Sequence, residues 1–240
     1  MYDMDRTSGR PGPAEAKRLD AFVDAAFAFA VSLLIIAGGE PLRSFDDLLR
    51  ALARIPAFLA GFALIILFWL AHRAWSALGP RRDGRATLLS LAVVFSVLVF
   101  VFPLRLLTES AVHFMSGGLL PGGDLIASFG QLGWIYAIYG LGFSTLALLY
   151  ALLFRHAETG LEAGDPRRIE ANSWTRTWLL AAATGVGSSA LALTPLLRAA
   201  PWAPGVTYWL IPFGVWAFAV MDRRRAGRLR AAKDAGTPAA

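Results

Sequence analysis

The chain has 240 residues, 56% hydrophobic and 17% charged, with a formal net charge of +6. That balance excludes an ordinary water-soluble domain and points to an integral membrane protein. The absence of cysteine excludes disulfides, thiolate metal sites and a cysteine nucleophile, and the basic excess gathers beside apolar runs, as in DRRRAGRLRAAK, where it marks a stop-transfer contact with anionic lipid rather than a nucleic-acid surface.

In chain order, residues 1–16 are rich in Gly, Pro and charge and predict a mobile cytoplasmic tail. The next stretch, RLDAFVDAAFAFAVSLLIIAGGEP, has only fifteen uncharged residues between Asp24 and Glu40, whereas a helix that crosses a bilayer needs roughly 20. A signal peptide is an alternative for a basic lead before a short apolar segment, but Asp20 and Asp24 fit that plan badly. Charge-free runs at 55–71, 86–104, 125–154, 177–197 and 199–221 predict further crossings, the first with snorkelling by Arg54 and Arg73. With the opening stretch they make six. Membrane-barrel strands are excluded, because no segment of about ten residues alternates apolar and polar positions.

The expected fold class is therefore all-α, an integral membrane bundle of six transmembrane helices. It forms one membrane domain at 17–225, followed by a basic cytoplasmic tail at 226–240. Connections are short except 109–124, where FMSGGLLPGGD predicts irregular structure. TGVGSSALAL, from Thr184, gathers small residues as a helix-packing face does. Placing both termini on one side collects 18 of the 23 basic residues there, so the positive-inside rule puts both termini in the cytoplasm of a multi-pass cell-membrane protein. Trp69, Trp75, Trp174, Trp178 and Trp202 fall near predicted helix ends, where the indole N–H sits in the headgroup layer.

Polar residues at membrane depth are the candidates for function. Asp24 follows Arg18 by six positions, about 240° of helical rotation, so the two do not share a face. Asp24 shares one with Asp20 and Lys17 and requires donors from a neighbouring helix. FWLAHRAW places Trp69 and His72 at matching depth as such donors; the plainer alternative leaves Asp24 hydrated and His72 at a helix end. Ser32 is the single hydroxyl between Asp24 and Glu40. It lies on a stripe with Phe22, Ala25, Phe29, Leu33 and Ile36. That stripe has two readings: the lining of a narrow pore, or a helix face on which Ser32 bonds the carbonyl of Ala28. Enzyme chemistry has no support: His72, His113 and His156 fall at unrelated places, no Gly-x-Ser-x-Gly or His-Glu-x-x-His occurs, and neither a metal site nor a cofactor is implied.

RLDAFVD followed by AAFAFAVSLLII resembles the first-helix pattern of the transmembrane protein 175 family of potassium channels: Arg, three residues, Phe-Ser-Asp, then an apolar stretch with Thr or Ser. The Trp69 and His72 pair is similar to the end of that family's second helix, VFVFPL around Pro103 to its third, and WIYAIYG to the start of its fourth. The resemblance implies a homotetramer of six-crossing subunits around four copies of the first helix, conducting potassium ions through the bilayer. Arg18, Phe22 and Asp24 would be the signature positions, bonded toward Trp69 and His72. Phe29 would form the hydrophobic constriction, Ser32 a hydroxyl layer, with Leu33 beside it and Ile36 further out. Val23 replaces the family's usual Ser, and Phe29 its usual Ile or Leu. The expected function is a passive potassium-preferring leak channel; the alternatives are a non-conducting scaffold of the same fold, or a proton-coupled transporter using Asp24 and His72.

Overall fold

The computed structural model describes residues 13–36, 42–122, 126, 128–162 and 165–221, and every regular element among them is a helix. The expected tail at 226–240 and residues 1–12 of the other tail lie outside the described residues. Six main helices follow: α1 Pro13–Ile36, α2 Phe45–Ala53, α3 Ile55–Ala77, α4 Gly84–Met115, α5 Phe129–Gly160 and α6 Pro166–Ala192. Two short turns, α7 Leu196–Ala199 and α8 Ala203–Val206, lead into a final helical stretch ending at Met221. Helix α1 begins at Pro13, so part of the expected N-terminal tail is helical.

Five segments are long and apolar enough to cross a membrane: Lys17–Ile36, α3, α4, α5 and Ala203–Met221. The chain is a multi-pass membrane protein. Helix α6, expected as a further crossing, is 27 residues long, about 40 Å at 1.5 Å per residue, but is not among those five. Its polar residues explain this. Thr175 and Thr184 donate back to the carbonyls of Ala171 and Leu180, while Ser188 donates to Pro204 O at 2.8 Å. The hydroxyls lower the hydropathy of α6 while staying paired inside the bundle.

Two boundaries correct the sequence reading. The segment 109–115, expected within an irregular loop, continues α4 past Pro103. The helix stops at Gly117 and Gly118, with φ of 64° and 87°, where Gly118 N–H bonds His113 O at 2.9 Å; only glycine adopts that left-handed turn without a Cβ penalty. Helix α2 was not anticipated at all. Ser44 caps it by accepting from Asp47 N–H at 3.1 Å, with Asp46 and Asp47 in the first turn and Arg50 in the last. Phe45, Leu49 and Leu52 form an exposed apolar side of this helix.

The centre of the bundle is aromatic. Phe68 of α3 stacks on Tyr150 of α5 and Trp178 of α6, each at 6.0 Å, and meets the ring of Phe100 of α4 edge-on at 6.2 Å. Such pairs contribute about 1 kcal/mol beyond their buried area. Trp75 and Trp178, expected in the headgroup layer, are instead core residues. The indole of Trp75 donates to Leu153 O at 3.0 Å, so its polar edge is satisfied without water.

Helices α5 and α6 approach through small residues, as the TGVGSSALAL stretch implied. Ser144 Oγ donates to Ala182 O at 2.9 Å and Ser189 Oγ to Ala137 O at 3.2 Å across the seam. A Cβ on Gly140 would lie 2.6 Å from Gly185 O, and one on Gly185 would lie 2.7 Å from Gly140 O, so neither site has room for a side chain.

Asp83 caps α4 by accepting from Ala86 N–H at 3.0 Å, and His156 Nε2 of α5 lies 3.1 Å from the same carboxyl. The Ala86 amide, with the His156 ring adding to it, holds this carboxyl below its usual range. Asp83→Ala is expected to cost about 1 kcal/mol. Because the native carboxyl ionises more readily than the unfolded one, this contribution is present at neutral pH and fades as the pH falls below about 4. Thermal unfolding of both proteins in detergent at pH 7 and pH 3.5 checks it: the gap between them narrows at the lower pH.

Candidate pore-lining face and its supporting contacts

Helix α1 has two unlike faces. Val23, Phe27, Ala30 and Leu34, spaced i, i+4, i+7 and i+11, are buried against α3 and α4. Gly61 of α3 makes this possible, since a Cβ there would meet Leu34 Cδ2 at 3.0 Å. Val23, one of the two departures from the family pattern, is fully buried on this packed face.

The other face is open. Phe22, Phe29 and Ile36 are 53%, 54% and 67% exposed, and Ala25 and Ser32 lie exposed on the same side. Leu33 sits at the edge of this face and packs partly onto the core. Ser32 Oγ donates to Ala28 O at 3.2 Å, so the hydroxyl is held by its own helix while its oxygen remains an acceptor toward the open side. The final span has a different exposed surface: Trp209, Leu210, Phe213 and Trp216 are all bulky and apolar, as lipid contact requires.

The polar start of α1 is tied to α3 and to the α3–α4 connection. Trp69 Nε1 donates to Asp24 Oδ1 at 2.8 Å, and the Arg73 guanidinium lies over the Trp69 ring at 4.9 Å. One turn earlier, Asp20 accepts two bonds from Arg82, at 2.9 and 3.0 Å, and one from Ser76 Oγ at 2.9 Å. The Arg82 guanidinium also lies 4.5 Å above the buried Trp75 ring. A carboxylate that accepts three bonds, two of them from one bidentate guanidinium, is well compensated near hydrocarbon.

Of the residues expected in this network, the structure joins Asp24 and Trp69. His72 goes elsewhere. It is buried and its Nε2 pairs with Ser90 Oγ of α4 at 3.1 Å, with the Trp75 ring 5.1 Å away. The reason is rotational: Phe68, His72 and Trp75 share the buried face of α3, while Trp69 turns toward α1. A relay running from Asp24 directly to His72 has no hydrogen bond in this arrangement. Arg18 and Phe22 are exposed, and Arg18 has no hydrogen bond or ion pair among the described residues.

Sequence reading missed Asp20, Ser76, Arg82 and Ser90 as network members. Asp20 carried a signal, since it lies four residues before Asp24 on one face. Arg82 carried none, because its partner is 62 residues away. Among the described residues no group of three His, Asp or Glu side chains is arranged to hold a metal ion.

Residues 18–103, from α1 into α4, match the family described as endosomal/lysosomal potassium channel TMEM175. A potassium channel of Marivirga tractuosa is 29% identical over 58% of each chain, and one of Chamaesiphon minutus is 27% identical over 62% of this chain and 69% of the relative. The match thus spans less than two thirds of the first relative's length. Among solved structures, a variant of the potassium channel MtTMEM175 in complex with a nanobody–MBP fusion superposes with a TM-score of 0.65 at 25% identity, over 89% of this chain and 93% of that one. A lysosomal potassium-selective channel TMEM175 homologue from Chamaesiphon minutus gives a TM-score of 0.60 at 24% identity, covering 83% and 96%, and speaks for the fold alone.

Proposed function

We propose that this chain, which belongs to the TMEM175 family of potassium channels, is one subunit of a passive, potassium-preferring leak channel of the cell membrane. Four copies assemble as a homotetramer with both termini cytoplasmic. Each contributes six crossings from one membrane domain at 17–225, with α6 as the more polar fifth crossing. The open face of each α1 turns to the shared axis, so that Phe29 forms a hydrophobic constriction, Ser32 an oxygen layer and Ile36 the part further out, with Leu33 at the edge. Of the signature positions, Asp24 with Trp69 holds that helix in place, while His72 supports the α3–α4 contact through Ser90 and Arg18 and Phe22 stay on the exposed side of α1.

One observation carries this reading: α1 is packed on one side only, and its unpacked side bears small residues and a hydroxyl among the large apolar groups. Against lipid, a short helix with a charged start has no advantage. Facing three copies of itself, it is surrounded by protein and water. An apolar ring there gates by excluding water, and the hydroxyl oxygen replaces part of an ion's hydration shell.

The test is potassium flux into liposomes containing purified protein. Removing the ring in Phe29→Ala widens the constriction and raises flux about tenfold, the effect of lowering a barrier by about 1.4 kcal/mol. Ser32→Ala lowers the preference for potassium over sodium several-fold. Flux absent from the wild type and from both variants would falsify the channel reading. The bulk of Phe29 favours a second reading, a sealed scaffold of the same fold, and this predicts tight wild-type liposomes that become leaky only in Phe29→Ala.

A further inference from the structure

We infer that the groove between the start of α4 and the end of α5 is a binding site for the headgroup phosphate of an anionic phospholipid. A cavity of about 390 Å³ opens there, lined by Arg85, Leu88 and Leu89 of α4 and by Leu152, Arg155 and Thr159 of α5. Both arginines are exposed, and neither guanidinium has a hydrogen bond or carboxylate partner among the described residues.

The surrounding acidic groups are engaged elsewhere. Asp83 accepts from Ala86 N–H and faces His156, while Glu158 accepts from Asn172 Nδ2 at 3.2 Å. Arg81 flanks the groove, its Cδ lying 3.8 Å from where a Gly160 Cβ would be. Neither carboxylate pairs with the guanidinium of Arg85 or Arg155, so both are left without a direct partner among the described residues at the groove.

The wall of the groove is apolar and outward-facing: Leu88 is 68% exposed and Leu152 41%. It lies where two membrane-spanning helices reach the end of their apolar segments. A free inorganic anion has no use for leucines, and a neutral lipid has none for two unpaired guanidiniums. A phospholipid with net negative charge uses both, its phosphate bridging Arg85 and Arg155 and one acyl chain running along Leu88 and Leu152. This site does not depend on conduction and stands apart from the reading of α1.

Native mass spectrometry of the full chain, exchanged between phosphatidylglycerol and phosphatidylcholine micelles, tests the assignment. Wild type retains phosphatidylglycerol preferentially. The double variant Arg85→Gln with Arg155→Gln loses that preference by about 30-fold, two basic side chains acting at the membrane surface. Arg168→Gln removes a charge elsewhere on α6 and leaves the preference intact. Unchanged retention in the double variant overturns the proposal, as does an equal loss in Arg168→Gln. Displacement of the lipid by millimolar inorganic phosphate would show a plain anion site and also overturn it.

Discussion

Gly185→Val is expected to abolish the native pairing of α5 and α6. The first added carbon would stand 2.3 Å from Ser144 Oγ and 2.7 Å from the backbone oxygen of Gly140. A hydroxyl can rotate away, but a helix backbone cannot without separating the two helices. Separation would cost the hydrogen bonds from Ser144 to Ala182 O and from Ser189 to Ala137 O. It would also loosen the stacking of Tyr150 on Trp178, whose rings lie 4.8 Å apart. Overpacking costs about 1–3 kcal/mol where side chains can yield, and a clash against backbone belongs at or beyond the upper end, about 4 kcal/mol. Gly187→Ala is the control. Two residues further along the same helix it has open space, and exchange of glycine for alanine there adds about 0.5–1 kcal/mol of helix stability. Unfolding midpoints in detergent should therefore move in opposite directions, and equal midpoints would mean that α5 and α6 do not approach this closely.

Arg82→Gln carries the second large effect, because one side chain closes three contacts at once. The guanidinium makes two bonds to Asp20, bonds Ser76 Oγ and covers the face of Trp75, and its side chain is only 11% exposed. Removing it leaves the Asp20 carboxylate with Ser76 alone at the start of a membrane helix, a loss of about 3 kcal/mol. Arg82→Lys keeps the charge but not the fork, and should recover less than half of this. A double-mutant cycle with Asp20→Asn gives the direct readout: coupling of about 1–3 kcal/mol is expected, and additivity would show that the pair does not tether α1. On the proposed reading the same variants alter potassium flux while leaving Phe29 and Ser32 in place, because they free the start of the helix that carries them.

How much of this was legible beforehand depended on the range of each interaction. Hydropathy and run length identified a helical membrane protein and located the apolar spans, since both are properties of a single segment. Small residues after Thr184 announced a close helix contact for the same reason. Asp24 announced its need for a donor, because a carboxylate at that depth is costly alone. The continuation of α4 beyond Pro103 escaped simple counting: Arg105 ended the charge-free run although its guanidinium pairs with Glu109 one turn on, and a proline is judged without its neighbours.

What the sequence determined by itself, then, was class and composition: all-α, membrane-embedded, basic at its helix ends, with a short polar-headed first helix. What only the tertiary structure decided was partnership. Trp69 and His72 are three residues apart on α3, yet one faces Asp24 and the other Ser90, because three steps of a helix rotate a side chain by about 300° and neighbouring helices occupy different sectors. Arg82 finds Asp20 across 62 residues, and Trp75 leaves the interface for the core because the carbonyl of Leu153 is there to receive its N–H. Local patterns fix how each helix is built, and the packing of whole faces fixes which polar groups meet.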